Sequence, residues 1–188
     1  MMLLTGIFST IDVLAQKQED SMVQMLKNSH PGPNHALLGR LTGTWNFQDS
    51  KRPFVKGTII RKPIYDGRFY SIEMTGGRLP LPVSDGEMKE GNYQSLQIEG
   101  YDNVKLKFIT ISLNNHIGSD IQYQQGLYDP KKNEFRYEWD NEIIKGEIMH
   151  NRRVVALIDG SHYNEIFYEL QKGQYIKVRE LIYTKFGL

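Results

Sequence analysis

From Gly43 onward the chain is punctuated by Gly, Asn or Asp roughly every ten residues, with apolar and polar positions alternating in between. That rhythm is the signature of short antiparallel strands. It predicts strands near 44–50, 54–62, 68–75, 93–101, 105–113, 120–128, 133–140, 143–149, 152–159, 162–170 and 174–184. The clearest, Glu134-Phe135-Arg136-Tyr137-Glu138-Trp139, sets three aromatics on one face and three charges on the other, so one face is wet. Asp102-Asn103, Asp129-Pro130-Lys131-Lys132-Asn133 and Lys172-Gly173 suit tight turns, which makes sequence neighbours antiparallel neighbours. No ten-residue helical pattern intervenes, so parallel α/β folds are excluded and a sandwich or an up-and-down barrel remains. An all-β barrel of about ten strands is the better reading, because closure removes the exposed edges of a long meander. A barrel of that size can hold one small ligand.

The first 42 residues differ. Met1–Leu14 is mostly apolar but too short to span a bilayer, and Val13-Leu14-Ala15 precedes a polar run from Gln16. This reads as a secretory signal over 1–15, although no Lys or Arg precedes Leu3. An exported protein, periplasmic or extracellular, is expected on that basis. An amphipathic helix is the competing reading of the same segment. Residues 16–42 read as a helical lead-in. Met22, Met25 and Leu26 mark one short helix over 18–28, stopped by Pro31-Gly32-Pro33. Asn34 is placed to cap a second helix through Leu41. Residues 43–188 then form the single barrel domain. Gly76–Gly86, with three glycines and two prolines among its residues, reads as an excursion that cannot continue a strand, either a lid or a plain loop. Leu106 and Phe108 take one parity and Ile109, Ile111 and Leu113 the other, which suggests a bulge or a strand covered on both faces.

Composition closes several routes. The 188 residues hold no cysteine, so disulfides, thiol catalysis and cysteine-ligated metals are out. Lys and Arg number 23 against 22 Asp and Glu, too even for a protein that lives on neutralising phosphates, so no nucleic-acid partner is expected. Nucleotide, zincin and serine-hydrolase signatures are absent. The five histidines are scattered, with no two at ligand spacing, so no metal site is expected.

Three features are candidates for function. His162 shares a strand face with Asn164, Ile166 and Tyr168; facing inward, it would suit haem iron or an anionic head group, and facing outward it is a surface histidine beside a turn. Glu180 shares a face with Ile176, Val178 and Ile182, so burial would demand a partner such as Arg68, Arg61 or Arg153. Eleven tyrosines, Tyr70 and Tyr168 among them, offer apolar area with a polar tip to a cavity wall. Apart from haem at His162, no cofactor is expected.

Pro31-Gly32-Pro33-Asn34-His35-Ala36-Leu37-Leu38, then Leu41-x-Gly43-x-Trp45, Asp66-Gly67-Arg68-Phe69-Tyr70, Gly100-Tyr101-Asp102-Asn103, Gly126-x-Tyr128-Asp129 and Tyr183-Thr184-Lys185 together resemble the bacterial domain-of-unknown-function family 1579. Ile111, Leu113-Asn114 and Ile117 depart from its pattern. The resemblance implies a lipocalin-like, calycin-type barrel, similar in layout to haem-binding nitrobindin-like barrels. In such a barrel the short helix plugs one end, with Leu37, Leu38 and Leu41 inward and Trp45 beneath. The expected function is binding of a small hydrophobic or amphipathic molecule, with Trp45, Arg68, Tyr70, His162, Tyr168 and Glu180 as candidate contacts, in a monomer or homodimer. An isomerase or haem-dependent enzyme in the same cavity is the first alternative, and a solid interaction module the second.

Overall fold

A computed structural model of the chain describes residues 8–187, with side chains described from residue 16. Residues 1–7 of the expected leader lie outside the described residues, as do the side chains of 8–15. The first helix, α1 (Phe8–Ser29), begins ten residues before the expected one and presents Met22, Val23, Met25 and Leu26 to solvent. Its C-terminal end is held by the Asn103 side-chain amide, which donates to the carbonyls of Asn28 (2.8 Å) and His30 (3.0 Å). Among the described residues no helix is long and apolar enough to cross a membrane.

Helix α2 (Pro33–Gly39) starts with proline in its first turn, where the missing N–H is no loss. The N-cap is Gly32, not Asn34. Gly32 has no side chain to cap with, so His35 turns back and its Nδ1 accepts the Gly32 N–H at 3.0 Å. Ten strands follow: β1 (Gly43–Asp49), β2 (Lys56–Ile64), β3 (Phe69–Pro82), β4 (Met88–Asp102), β5 (Lys107–Asn114), β6 (Gln122–Asp129), β7 (Glu134–Ile144), β8 (Glu147–Leu157), β9 (His162–Gln171) and β10 (Gln174–Lys185). Each pairs antiparallel with its neighbour, and β1 pairs with β10 to close the barrel, Trp45 lying opposite Lys185. The fold is therefore the expected up-and-down antiparallel barrel.

Helix α2 closes the end at which β1 begins. Leu38 and Leu41 are buried against the interior and Trp45 packs beneath them, its indole N–H donating to the Leu41 carbonyl at 2.9 Å. Tyr163 meets Trp45 edge-on at 4.8 Å and stacks on Tyr183 at 4.2 Å; Tyr70 donates its hydroxyl to the His35 carbonyl at 3.0 Å. The opposite end, on which no described helix packs, is termed the mouth.

Two expectations fail at that mouth. Gly76–Pro82 does continue a strand: β3 runs on past a bulge at Gly77 and pairs with β4 as far as Pro82 opposite Met88. The glycines there bend the ribbon without ending it. Gly76, at φ 134°, lies so close to Gly57 of β2 that a Cβ on either would collide with the other's backbone. Pro80 and Pro82 sit on the arm beyond the reach of β2, where an absent N–H breaks no ladder. The predicted strands at 143–149 and 152–159 are not two separate strands: Ile143 and Ile144 finish β7, the chain turns at Lys145-Gly146, and β8 runs unbroken from Glu147 to Leu157. There is also no bulge at Phe108-Ile109. Leu106 belongs to the preceding turn at φ 55°, and β5 alternates cleanly, with Phe108, Thr110 and Ser112 buried inside and Ile111 and Leu113 exposed outside.

Candidate functional site

The barrel interior is layered. Next to the plug lies an aromatic floor of Trp45, Tyr101, Phe108, Phe135, Tyr163 and Tyr183. Toward the mouth follow four charged side chains from four strands: Arg61 of β2, Glu99 of β4, Arg153 of β8 and Glu165 of β9, each 1–2% exposed. Glu99 ties the two guanidiniums together. Arg61 donates to its Oε2 at 2.8 Å and Arg153 to its Oε1 at 3.1 Å. The other Arg153 amino nitrogen reaches Glu165 at 3.5 Å, and Tyr183 donates its hydroxyl to Glu165 at 3.1 Å. Thr110 joins by donating to Glu99 and accepting from Arg153.

Electrostatics follow from that packing. Burial alone would raise the Glu99 carboxyl, but Arg61 and Arg153 beside it outweigh burial and hold it below the usual carboxylate range. Burial likewise works against both guanidiniums; Glu99 above all for Arg61, and Glu165 with Glu99 for Arg153, more than compensate, and both stay charged. Burial pushes the phenols of Tyr137, Tyr163 and Tyr183 up, so they remain protonated donors. The layer thus sets two cations against two anions.

Its hydrogen-bonding capacity is not used up. Arg61 Nε and Nη2, Arg153 Nε and the Tyr163 hydroxyl are buried without partners. On the mouth side, the inward faces of β4, β6 and β7 add three more such atoms: Ser95 Oγ, Gln124 Oε1 and Trp139 Nε1. Native interiors leave few polar atoms unpaired, because each costs about 1–3 kcal/mol. The clustering of these along one lumen therefore marks the candidate site. Tyr93 and Phe167, half-buried on inward faces of β4 and β9, stand nearer the mouth.

Of the sequence candidates, two face inward and both are tied to the plug. Trp45 bonds Leu41 and Tyr70 bonds the His35 carbonyl. The other four lie elsewhere. Arg68 is exposed in the turn between β2 and β3, at the plug end. His162 starts β9 on its outer face, its Nδ1 3.1 Å from both Asp159 carboxylate oxygens and 3.0 Å from the Ser161 hydroxyl. Tyr168 alternates outward, since Glu165 and Phe167 take the inner face. Glu180 also faces out, with Ile182, while Arg179, Leu181 and Tyr183 face in; a bulge at Val178 breaks the alternation, so Ile176, opposite Glu169, lies on the other face. Its carboxyl is held low by the hydrogen bond from Lys177 at 2.8 Å, and Asn164 donates to it at 3.3 Å. The supposed partners Arg61 and Arg153 serve Glu99 and Glu165 instead.

No described histidine faces the lumen: His35 is locked in the plug, and His30, His116, His150 and His162 lie on loops or outer faces. These residues do not fit an axial haem ligand in the barrel. Among the described residues no cluster of three His, Asp or Glu is placed to hold a metal ion. Concavities on the outer surface include one of about 520 Å³ over β5–β7, lined by Lys107, Tyr128 and Arg136, and one of the same volume over β1, β2 and β10, lined by Asn46, Lys56 and Thr184; a smaller one of about 270 Å³ lies beside the plug, lined by Arg40, Trp45 and Lys185.

Sequence reasoning missed Glu99, Glu165, Ser95, Gln124 and Trp139 as site residues. For Glu165 a signal exists, since it shares parity with Tyr163 and Phe167. A search of curated proteins finds no match to the chain. The family model described as "Protein of unknown function (DUF1579)" covers residues 30–185, from the plug helix to the last strand, and the chain belongs to that family.

Proposed function

We propose that this protein is a small-molecule-binding barrel that admits its ligand at the mouth opposite α2 and holds it against the polar side chains of the lumen. One observation carries the reading: buried polar atoms stay unpaired along the inner wall, next to a charged layer. A barrel that needed only to be filled would be at least as stable with apolar residues there, because buried ion pairs commonly give no net gain over well-packed hydrophobes. Unused donors and acceptors beside such a layer are what a polar ligand group completes. Half-buried Tyr93 and Phe167 nearer the mouth suit a partly apolar body. The ligand is accordingly a small hydrophobic or amphipathic molecule.

Native mass spectrometry of the protein as purified, followed by a thermal-shift screen against small amphiphiles, tests this. A mass above that of the apo chain, or a rise in Tm that Ser95→Ala and Trp139→Phe diminish and His162→Ala does not, supports the reading. The apo mass alone, with no response across the panel, overturns it.

A further inference from the structure

Resting on that reading, we infer that the ligand presents a neutral head group carrying both a hydrogen-bond acceptor and a donor, of the carboxamide type, rather than a carboxylate or an amine. The first reason is charge. Arg61 and Arg153 are already matched by Glu99 and Glu165 at 2.8–3.5 Å, so a net charge brought into the lumen meets no uncompensated partner there. An isolated buried charge is far too costly to hold. Arg179, on the inner face of β10 and a third exposed, reaches Asp49 at 3.3 Å and shares that carboxylate with solvent-facing Arg52 at 2.9 Å, outside the charged layer.

The second reason is the inventory of free atoms on the mouth side. Trp139 Nε1 can only donate, the Gln124 carbonyl can only accept, and Ser95 Oγ can do either. Gln124 and Trp139 sit on adjacent strands, each one step toward the mouth from the Gln125–Glu138 pair, so their side chains converge on the same stretch of lumen. A carbonyl oxygen satisfies the indole or the hydroxyl, and an N–H satisfies the glutamine. A carboxylate offers no donor to Gln124, and an ammonium offers no acceptor to Trp139. An ester supplies only half the match.

The test holds the apolar body constant and varies the head: octanamide, methyl octanoate, octanoate and octylamine, titrated at pH 7.5 into the full chain, with affinities read by calorimetry. Octanamide is expected to bind at least five-fold tighter than the ester and at least ten-fold tighter than either ion. Gln124→Met, which keeps the side-chain volume but removes the carbonyl, is expected to bring the amide and the ester within two-fold of each other. Its unchanged Tm would show that the fold is intact, and Trp139→Phe provides a second variant, expected to weaken octanamide about five-fold. Tighter binding of octanoate or octylamine overturns the head-group inference while leaving a ligand-binding barrel standing. Failure of all four probes, together with a silent amphiphile panel, removes both.

Discussion

Glu99 accepts from both buried guanidiniums at once, so its loss strands two charges. Glu99→Gln is expected to cost about 3–5 kcal/mol in urea unfolding, because removing one partner leaves buried charge uncompensated. Replacing Arg61, Glu99, Arg153 and Glu165 together with apolar residues of similar size should cost less than that single change. If the single change costs under about 1 kcal/mol, Glu99 is not the shared partner of both guanidiniums. The alternation pattern could not reveal Glu99. It lies between Ile98 and Gly100, and parity assigns the apolar face of that strand to Leu96 and Ile98, which in fact look outward. Each lumenal charge is balanced by a residue from a different strand, 38 positions away for Arg61 and 54 for Arg153, and strand periodicity carries no trace of such pairs. The same inversion misplaces Glu180. Its neighbours at spacing two are apolar, but the barrel turns Arg179, Leu181 and Tyr183 inward instead, pairing the arginine with Asp49.

Helix α2 gives the plug a pH dependence. Burial lowers the His35 imidazole below its ordinary value of 6.5, against a hydrogen bond to the Tyr101 backbone that raises it. The folded chain then binds fewer protons than the unfolded chain, so this contribution is intact above pH 6.5 and is lost as pH falls below it. Unfolding free energies at pH 7.5, 6.5 and 5.5 should decline more steeply for the wild type than for His35→Gln. Equal slopes would mean that the ring is not held neutral. At the mouth, Gly57→Ala is expected to destabilise by about 1–3 kcal/mol, because the new Cβ meets the Thr75 carbonyl, Gly76 and Phe47. Gly160→Ala, with open space around it, should be neutral by the same melt. The plug was legible from sequence because an apolar stripe, a proline and Gly-x-Trp are local signals. The β3–β4 arm was not, since Gly-Gly and two prolines normally end a strand and here only bend an edge that β2 no longer covers. Helix α1 extends back to Phe8, across the expected cleavage point before Gln16. We propose that export removes the segment ahead of Gln16: intact-mass measurement on protein recovered from culture medium or periplasm should find a chain starting there, and one starting at Met1 would refute it.

The whole barrel is continuous, ten strands in strict chain order with the first hydrogen-bonded to the last. That order was readable from turn spacing alone, since short turns leave each strand no neighbour but the next. Closure was readable only as a way to remove edges, while the contents of the lumen depended on pairings no local pattern encodes. The seam between β1 and β10 joins Trp45 to Lys185, nearly the full length of the domain apart. Contacts of such sequence separation must wait for most of the chain to be ordered, which slows folding. During synthesis the ring cannot close until residue 185 has left the ribosome, and a chain arrested at Gly173, lacking all of β10, should remain protease-sensitive whereas the released one resists. The seam thus acts as a timer: every earlier hairpin must persist with a raw edge until the last twelve-residue strand arrives.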